Sequence, residues 1–243
     1  MKNSISAIVI ALAVVVGLWI VSNAYKYKFK STETISVTGL GEKDFTSDLI
    51  VWSGSFSRYG YELKSAYASL KQDESAIKSY LNSKGIADSN IVLSAVTTTK
   101  NYQRKYDKDG VEISNEFTGY TLTGSVRVES KDINRVEKLS REITELLEKG
   151  IELNSNPPEY YYTRLNELKI DLLAKASEDA KTRAETIAKN SGGSLGGIKK
   201  ATMGVFQITG KNSNEDYSYG GAFNTSNREK TASITLKVDY LAE

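Results

Sequence analysis

The sequence predicts an α+β fold in which an antiparallel-rich sheet carries three amphipathic helices packed on one face. Strand-like runs occur mostly in pairs, helical patterns separate them, and each helical pattern is apolar on one side only. The resulting order is β-β-α-β-β-α-β-α-β-β, preceded by an apolar N-terminal run that predicts a transmembrane helix. We divide the chain into an anchor (or signal peptide) with its juxtamembrane segment, residues 1–30, and a folded α+β body, residues 31–243.

The composition excludes several kinds of chemistry. The 243 residues include no cysteine and no histidine, so disulfides, thiolate nucleophiles and the usual general base and zinc ligand are absent. The formal net charge of +2 is too balanced to predict a nucleic-acid partner. We expect no catalytic residue, no cofactor and no metal site.

Residues 5–22 form an uncharged apolar run that would span roughly 27 Å as a helix, close to the thickness of a bilayer's hydrocarbon core. An uncleaved anchor is the leading interpretation. A secretory signal peptide is the alternative, because Ser22-Asn23-Ala24 offers small residues at a cleavage spacing. The lysines that follow the run (Lys26, Lys28, Lys30) would by charge count leave the body cytoplasmic.

The body opens with a strand over residues 34–38 that is expected to end at Gly39-Leu40-Gly41. A second strand, about residues 48–58, places three large side chains on one face: Ile50, Trp52 and Phe56. The first body helix follows, with apolar residues at helical spacing: Leu63, Ala66 or Tyr67, Leu70, Ile77 and Leu81. Gly85 ends this helix.

Two long strand-like segments, residues 91–105 and 111–129, flank Asp107-Lys108-Asp109-Gly110, which predicts a hairpin turn. The second helix is expected to run to Gly150 with these apolar positions: Ile133, Val136, Leu139, Ile143 and Leu147. Residues 151–162 are extended but contain Pro157-Pro158, which predicts an irregular or edge strand.

The third helix precedes a glycine-rich stop at Ser191-Gly192-Gly193 and a strand over residues 198–209. Its expected inner face tapers from large residues to alanine: Ile170, Leu173, Ser177, Ala180, Ala184 and Ile187. Such a taper would let the covered segment approach the helix closely. A closing strand is expected over residues 231–241.

Residues 210–230 are rich in Gly, Ser, Asn and Tyr and predict an exposed, flexible loop. Exposed tyrosine is enriched at interfaces because it combines a large contact area with a polar tip. The candidate interaction residues are therefore Tyr160, Tyr161, Tyr162, Tyr217, Tyr219 and Phe223. Ordinary sheet packing is the alternative for both aromatic groups.

Several segments resemble the SIMPL-domain family, which includes a periplasmic immunogenic antigen. They are Ile35-Ser-Val-Thr-Gly39, Gly85-Ile with Ile91, Gly119-Tyr-Thr-Leu with Gly124-Ser-Val-Arg-Val128, and Ala180-Lys-Thr-Arg-Ala-Glu-Thr-Ile-Ala188 followed by Leu195-Gly196. The segments starting at Pro158 and Met203 resemble a membrane-anchored bacterial branch. The resemblance implies an extracytoplasmic body, against the lysine count, together with homo-oligomerisation and a link to stress responses. It implies no catalytic residue.

The sequence thus favours a non-enzymatic, membrane-tethered extracytoplasmic protein that self-associates and supports the cell envelope under stress. A ligand-binding module for a peptide, glycan or lipid, using residues 210–230, is the second hypothesis. A deep aromatic-lined pocket beside that loop would favour it. An enzyme using only Asp, Glu, Lys, Ser and Tyr is the third and least favoured.

Overall fold

A computed structural model describes the backbone of residues 2–30, 33–216 and 218–243, and the side chains of residues 10–26, 33–216 and 218–243. The α-helices are α1 (Lys2–Lys30), α2 (Leu63–Ser83), α3 (Ile133–Glu142) and α4 (Leu165–Asn190), and two 3₁₀ helices span Asp88–Asn90 and Ile143–Lys149. The strands are β1 (Thr34–Thr46), β2 (Leu49–Gly60), β3 (Ile91–Leu93), β4 (Thr97–Tyr106), β5 (Glu112–Ser130), β6 (Leu153–Ser155), β7 (Glu159–Tyr161), β8 (Leu195–Met203), β9 (Gln207–Gly210) and β10 (Glu229–Ala242).

The α+β class with antiparallel pairing is confirmed, but the prediction of one sheet is wrong. The strands form two sheets, one in the order β1-β10-β8 with β9 on β10, the other in the order β3-β5-β2-β6 with β4 on β5 and β7 on β2. β1 does not end at residue 38 but continues through both glycines to Thr46. After a link of two residues, β2 enters the other sheet, so the first two strands never form the expected pair.

The helices also differ from the prediction. Besides its four α-helices, the described backbone contains two 3₁₀ helices, so its helix count exceeds the one apolar and three amphipathic helices that the sequence predicts. The predicted second body helix changes to a 3₁₀ helix at Ile143, and Leu147 is exposed instead of facing the core. Gly150 ends it in the left-handed conformation, with φ of 71°, as the glycine signal predicts.

Among the residues that the structure describes, no helix has both the length and the apolar character needed to cross a membrane.

The chain divides into two compact units, which we call unit 1 and unit 2. Unit 1 contains residues 1–45, 164–223 and 231–243, and unit 2 contains residues 46–163 and 224–230. Unit 1 therefore holds the sheet of β1, β8, β9 and most of β10 with α4, and unit 2 holds the other sheet with α2 and α3.

The core of unit 2 is built from large side chains. Ile50, Trp52 and Phe56 alternate on one face of β2 and are all buried, as their spacing predicts. Apolar residues of α2, α3 and β5 complete this cluster, and the Trp52 indole donates a hydrogen bond of 2.9 Å to the Ser155 hydroxyl. The helices thus cover a conventional interleaved core.

The buried face of α4 in unit 1 changes from leucine to alanine along the helix. The buried stripe recurs at every fourth residue: Leu168, Leu172, Ala176, Ala180, Ala184 and Ala188. Only Ala180 and Ala184 of the predicted stripe lie in it; Ile170 is 72% exposed and Ile187 is also exposed. The expected close approach is nonetheless present, because a Cβ on Gly39 would lie 2.6 Å from the Ala180 backbone nitrogen and would overlap the Ala176 carbonyl oxygen.

Candidate functional site

The predicted tyrosine run belongs to unit 2. Tyr160 and Tyr161 lie in β7 and pair with Ile50 and Leu49 of β2. Tyr160 is half-buried against the unit 2 core, and burial followed by a hydrogen bond with Glu137 raises the pKa of its phenol. Tyr161 donates a hydrogen bond of 2.9 Å to Glu159, and that bond is the main reason that its pKa is raised. Tyr162 is also half-buried.

The second predicted group belongs to unit 1. Tyr219 is fully exposed, and Phe223 is half-exposed and forms an isolated parallel bridge with Ile208. Tyr217 lies outside the described residues. The two aromatic groups therefore belong to different units.

Tyr219 borders a cavity of about 430 Å³ in unit 1. Its lining comes from β1, from the segment around β9, and from β10: Leu40, Val205, Gln207, Ser218, Tyr219, Ser233, Ile234 and Thr235. Apolar side chains alternate here with hydroxyl and amide groups, and none of these lining residues carries a charge. The lining suits an uncharged, mainly apolar ligand or segment with a few hydrogen-bonding groups.

Gln207 positions the loop that borders this cavity. Its side-chain nitrogen donates a hydrogen bond of 2.8 Å to the Ser218 carbonyl oxygen. Its side-chain oxygen accepts hydrogen bonds from the backbone N–H groups of Ala222, at 2.6 Å, and Ser218, at 3.3 Å. The Ile208 N–H adds a hydrogen bond of 2.7 Å to the Ala222 carbonyl oxygen. A buried glutamine therefore holds the segment that presents Tyr219.

The sequence reasoning missed Gln207. A polar residue between Val205-Phe206 and Ile208 is a weak signal, because a strand with one open face also carries alternating polar residues. Its importance depends on burial and on partners eleven and fifteen positions away, which spacing does not reveal.

The sequence reasoning also missed Lys230, at the end of the predicted loop. Its side chain is 2% exposed, and its Nζ donates a hydrogen bond of 2.8 Å to the Tyr160 carbonyl oxygen and another to the Asn224 carbonyl oxygen. The Tyr160 N–H in turn donates to the Thr225 carbonyl oxygen at 2.7 Å. Residues 224–230 are thus tied to β7 within unit 2. The tie depends on the backbone of Tyr160, so the tyrosine side chain is not needed for it.

A second polar cluster in unit 2 joins the end of α2 to α3. The Lys84 Nζ lies 3.0 Å from Glu142 and 3.1 Å from Glu145. Hydrogen bonding to Lys84 lowers the pKa of both carboxyls, and the same contacts raise the pKa of Lys84. The Tyr80 hydroxyl donates to Glu145 at 3.0 Å. Each charge has a partner, so this cluster acts as a structural tie.

No group of three or more acidic residues among the described side chains is arranged to hold a metal ion. Carboxyls with a shifted pKa do occur in unit 1, at Asp44, Asp171 and Asp179. The largest cause in each case is a hydrogen bond that lowers the pKa. Asp44 accepts this bond from Thr231, Asp171 accepts it from Lys43, and Asp179 accepts it from the Leu40 N–H. These carboxylates are stabilised in their charged form.

A family comparison covers both units. The family described as SIMPL, protein of unknown function (DUF541), matches residues 35–239. The chain belongs to the SIMPL family. A comparison with curated proteins finds no match. The SIMPL match includes nearly all of β1, α4 and the cavity residues of unit 1, as well as all of unit 2, and the family description assigns no activity to any of them.

Proposed function

We propose that this SIMPL protein is non-enzymatic, is held at a membrane by its N-terminal helix, and works outside the cytoplasm by self-association in support of the cell envelope. The observation that carries the proposal is the apolar surface of α1. The large apolar side chains from Ile10 to Val21 are 47–66% exposed. So much exposed apolar surface on one helix requires a covering environment, and a bilayer supplies one.

The apolar run of the sequence supports the membrane part of this proposal. It extends over residues 5–22, beyond the side chains that the structure describes on α1. The extracytoplasmic part rests on what the resemblance to a family with a periplasmic antigen implies, although Lys26, Lys28 and Lys30 favour the opposite orientation by charge.

Cell fractionation tests the tether and its orientation. Full-length protein should stay in the membrane pellet after carbonate extraction. If the body is periplasmic, protease added to spheroplasts should digest it, and protease added to intact cells should not. Digestion on intact cells would instead indicate a cell-surface body. Recovery of the whole chain in the soluble fraction, or complete protection in spheroplasts, would contradict the proposal.

Self-association is tested by light scattering of the full chain in mild detergent over a concentration series. The expected result is a mass that rises above that of one chain of 26.8 kDa plus bound detergent. A constant single-chain mass at micromolar concentration and above would remove this part of the proposal.

The non-enzymatic part is supported by the sequence and by the charges. The chain has no histidine or cysteine, and each carboxyl with a resolved pKa shift in the described residues is shifted downward: Asp44, Asp88, Glu142, Glu145, Asp171 and Asp179. A general acid working near neutral pH needs the opposite shift. Turnover of any substrate by the purified protein, lost on substitution of one of these residues, would contradict it.

The second candidate function, a ligand-binding module for a peptide, glycan or lipid, is favoured by the unit 1 cavity beside Tyr219. This cavity has only one aromatic lining residue, and its uncharged lining fits an acyl chain or an apolar peptide better than an anion. A lysophospholipid, an uncharged tetrapeptide and a muropeptide are suitable probes in calorimetry. Tyr219→Ala should weaken binding, whereas Tyr67→Ala, an exposed tyrosine of α2, should not. Unchanged binding by the Tyr219 variant would exclude this site.

A further inference from the structure

The hairpin of β4 and β5 extends beyond its sheet as a two-stranded ribbon. β5 pairs with β2 only from Tyr120 onward, where Tyr120 faces Gly60. Before that point the described ladder pairs β5 with β4 alone, from Tyr106↔Glu112 to Asn101↔Gly119. These paired segments are roughly 20 Å long at the rise of a β-strand. The Asp107 carboxylate closes the turn by accepting 2.9 Å hydrogen bonds from the Asp109 and Val111 N–H groups.

The ribbon is amphipathic, although neither face belongs to the core. Tyr102 pairs with Phe117, their rings lie 5.7 Å apart, and Arg104 pairs with Asn115 on the same face. Gln103↔Glu116 and Lys105↔Ser114 occupy the opposite, polar face. Tyr102 is 51% exposed and Ile113 is 63% exposed. A two-stranded ribbon with one exposed apolar face is marginal in water and gains stability when further strands cover it.

Aromatic contacts hold the base of the ribbon in place. The Phe117 ring lies 5.0 Å from Tyr120 and 5.6 Å from Tyr61, and the Tyr59 hydroxyl donates to the Thr118 carbonyl oxygen. Gly119 adopts a φ of +145°, and a Cβ there would lie 2.8 Å from the Gly60 carbonyl oxygen. The ribbon therefore leaves the sheet in a defined direction, which reduces the ordering cost of docking.

The two long edges of the ribbon carry opposite charges. The ribbon part of β4 contributes Arg104 and Lys105 and no acidic residue, while the ribbon part of β5 contributes Glu112 and Glu116 and no basic residue. Pairing two β4 edges, or two β5 edges, would place like charges opposite each other, which is destabilising. A β4 edge beside a β5 edge places opposite charges together. If all ribbons point the same way, that arrangement is also antiparallel, as within one hairpin.

The edge strand β8 of unit 1 shows the contrasting pattern. It carries Lys199 and Lys200 at a register shift against β10 and has no acidic residue. Lysines and bulges of this kind protect an edge from joining another chain. The ribbon differs because its two edges carry opposite charges, so the β4 edge of one copy complements the β5 edge of another.

We propose that copies of this chain associate through their ribbons, the β4 edge of one copy pairing antiparallel with the β5 edge of the next. This inference rests on the self-association proposed above and specifies its surface. Because each copy uses two different edges, the contact is heterologous. It generates a ring or an open chain of copies, and a two-fold dimer does not satisfy both edges.

Charge reversal on the full chain in detergent tests the proposal by sedimentation velocity. The variant Arg104→Glu with Lys105→Glu makes the β4 edge acidic, and the variant Glu112→Lys with Glu116→Lys makes the β5 edge basic. Each variant alone should have a dissociation constant raised roughly tenfold or more, because both of its edges then carry one sign. Mixed together, the two variants should co-assemble, because every edge of one complements an edge of the other.

Two controls separate loss of contact from loss of the hairpin. Each two-site variant also breaks the intrachain Lys105–Glu116 pair of 2.9 Å, whereas the four-site variant restores it with reversed signs and should assemble as the wild type does. Reversing the exposed pair Lys181–Glu185 of α4 should change nothing. Suppose that the wild type assembles but the two-site variants assemble equally well, or that the mixture of the two variants does not co-assemble. Either result would refute the ribbon as the contact surface and leave the proposal of self-association intact. A wild type that stays a single chain would overturn both proposals.

Discussion

The two units place helices on antiparallel sheets by different means. In unit 2, large side chains such as Trp52, Leu70 and Ile77 fill the space between helix and sheet. In unit 1, α4 presents alanines and β1 presents glycines, so the backbones themselves come close. Removing bulk should therefore damage unit 2, and adding bulk should damage unit 1.

The largest effect should come from adding one carbon to β1. Gly39→Ala would place its Cβ on the Ala176 carbonyl and 2.6 Å from the Ala180 nitrogen, so α4 must move. We expect a loss of about 3 kcal/mol or more in unfolding free energy, measured by urea titration, with faster amide exchange along α4. Gly197→Ala on β8 is the control, because no atom lies within 4 Å of its added Cβ. Equal stability of the two variants would refute close packing as the basis of unit 1.

The next largest loss of stability should come from truncating a buried side chain in unit 2. Leu70→Ala removes a fully buried side chain from α2 and should cost about 3 kcal/mol. The buried Trp52 reports unfolding of this unit if Trp19, the other tryptophan of the chain, is first changed to Phe. Lys64→Ala on the same helix should shift the free energy by less than about 0.5 kcal/mol. A small effect of the leucine change would mean that large side chains do not dominate this core.

A smaller loss of unfolding free energy should follow from removing a buried charge in unit 2. Asp73 is 5% exposed, and its carboxylate accepts a hydrogen bond of 2.7 Å from Arg58, which is partly open to solvent. Asp73→Asn should cost about 1–2 kcal/mol, less than a fully buried pair, because water still reaches the arginine. Glu185→Gln, which affects only the exposed pair with Lys181 on α4, should be nearly neutral in the same thermal melts. Equal effects of the two changes would contradict this ranking.

The smallest effect is the pH dependence that two carboxylates of α4 give to unit 1. The pKa of Asp179 is lowered by the Leu40 N–H and by Arg183, and that of Asp171 is lowered by Lys43. A folded-state pKa below the unfolded value gives stability that is present above about pH 4 and is lost as the pH falls through the lowered pKa.

Asp179→Asn should therefore flatten the acid side of the stability curve of α4, measured by amide exchange between pH 5 and pH 2. Glu178→Gln, which removes the adjacent exposed carboxylate, is its matched control. An unchanged curve for the Asp179 variant would show that its hydrogen bond with β1 contributes nothing.

The same contrast explains which parts of the fold the sequence could predict. Alternating large residues such as Ile50, Trp52 and Phe56 are a direct signal of a covered strand face, and the turn at Asp107 and Gly110 is encoded locally. The prediction that β1 ends at Gly39 and Gly41 was wrong, because glycine occurs both where a strand ends and where a helix packs closely against a strand. Alanine is also a weak marker of burial, so the stripe on α4 was only partly identified.

The candidate site was less predictable than the fold. Tyr219 could be identified because it is aromatic and lies in a polar loop, but the cavity beside it also needs Gln207, Leu40 and Thr235. These residues meet only after β1, β9 and β10 are assembled. Lys230 is a similar case, because a lysine in a polar segment is ordinarily solvated, and its burial follows from the carbonyls of Tyr160 and Asn224.

The position of β10 in the chain sets an order of events at the ribosome. Most of unit 2 is one continuous stretch, residues 46–163, and has been synthesised before β10 begins at Glu229. The sheet of unit 1 has β10 as its central strand, so β1 and β8 have no common partner until residues 229–242 emerge. A nascent chain thus carries an incomplete unit 1 until β10 has emerged, and premature stop codons anywhere in β10 should yield products that proteases remove.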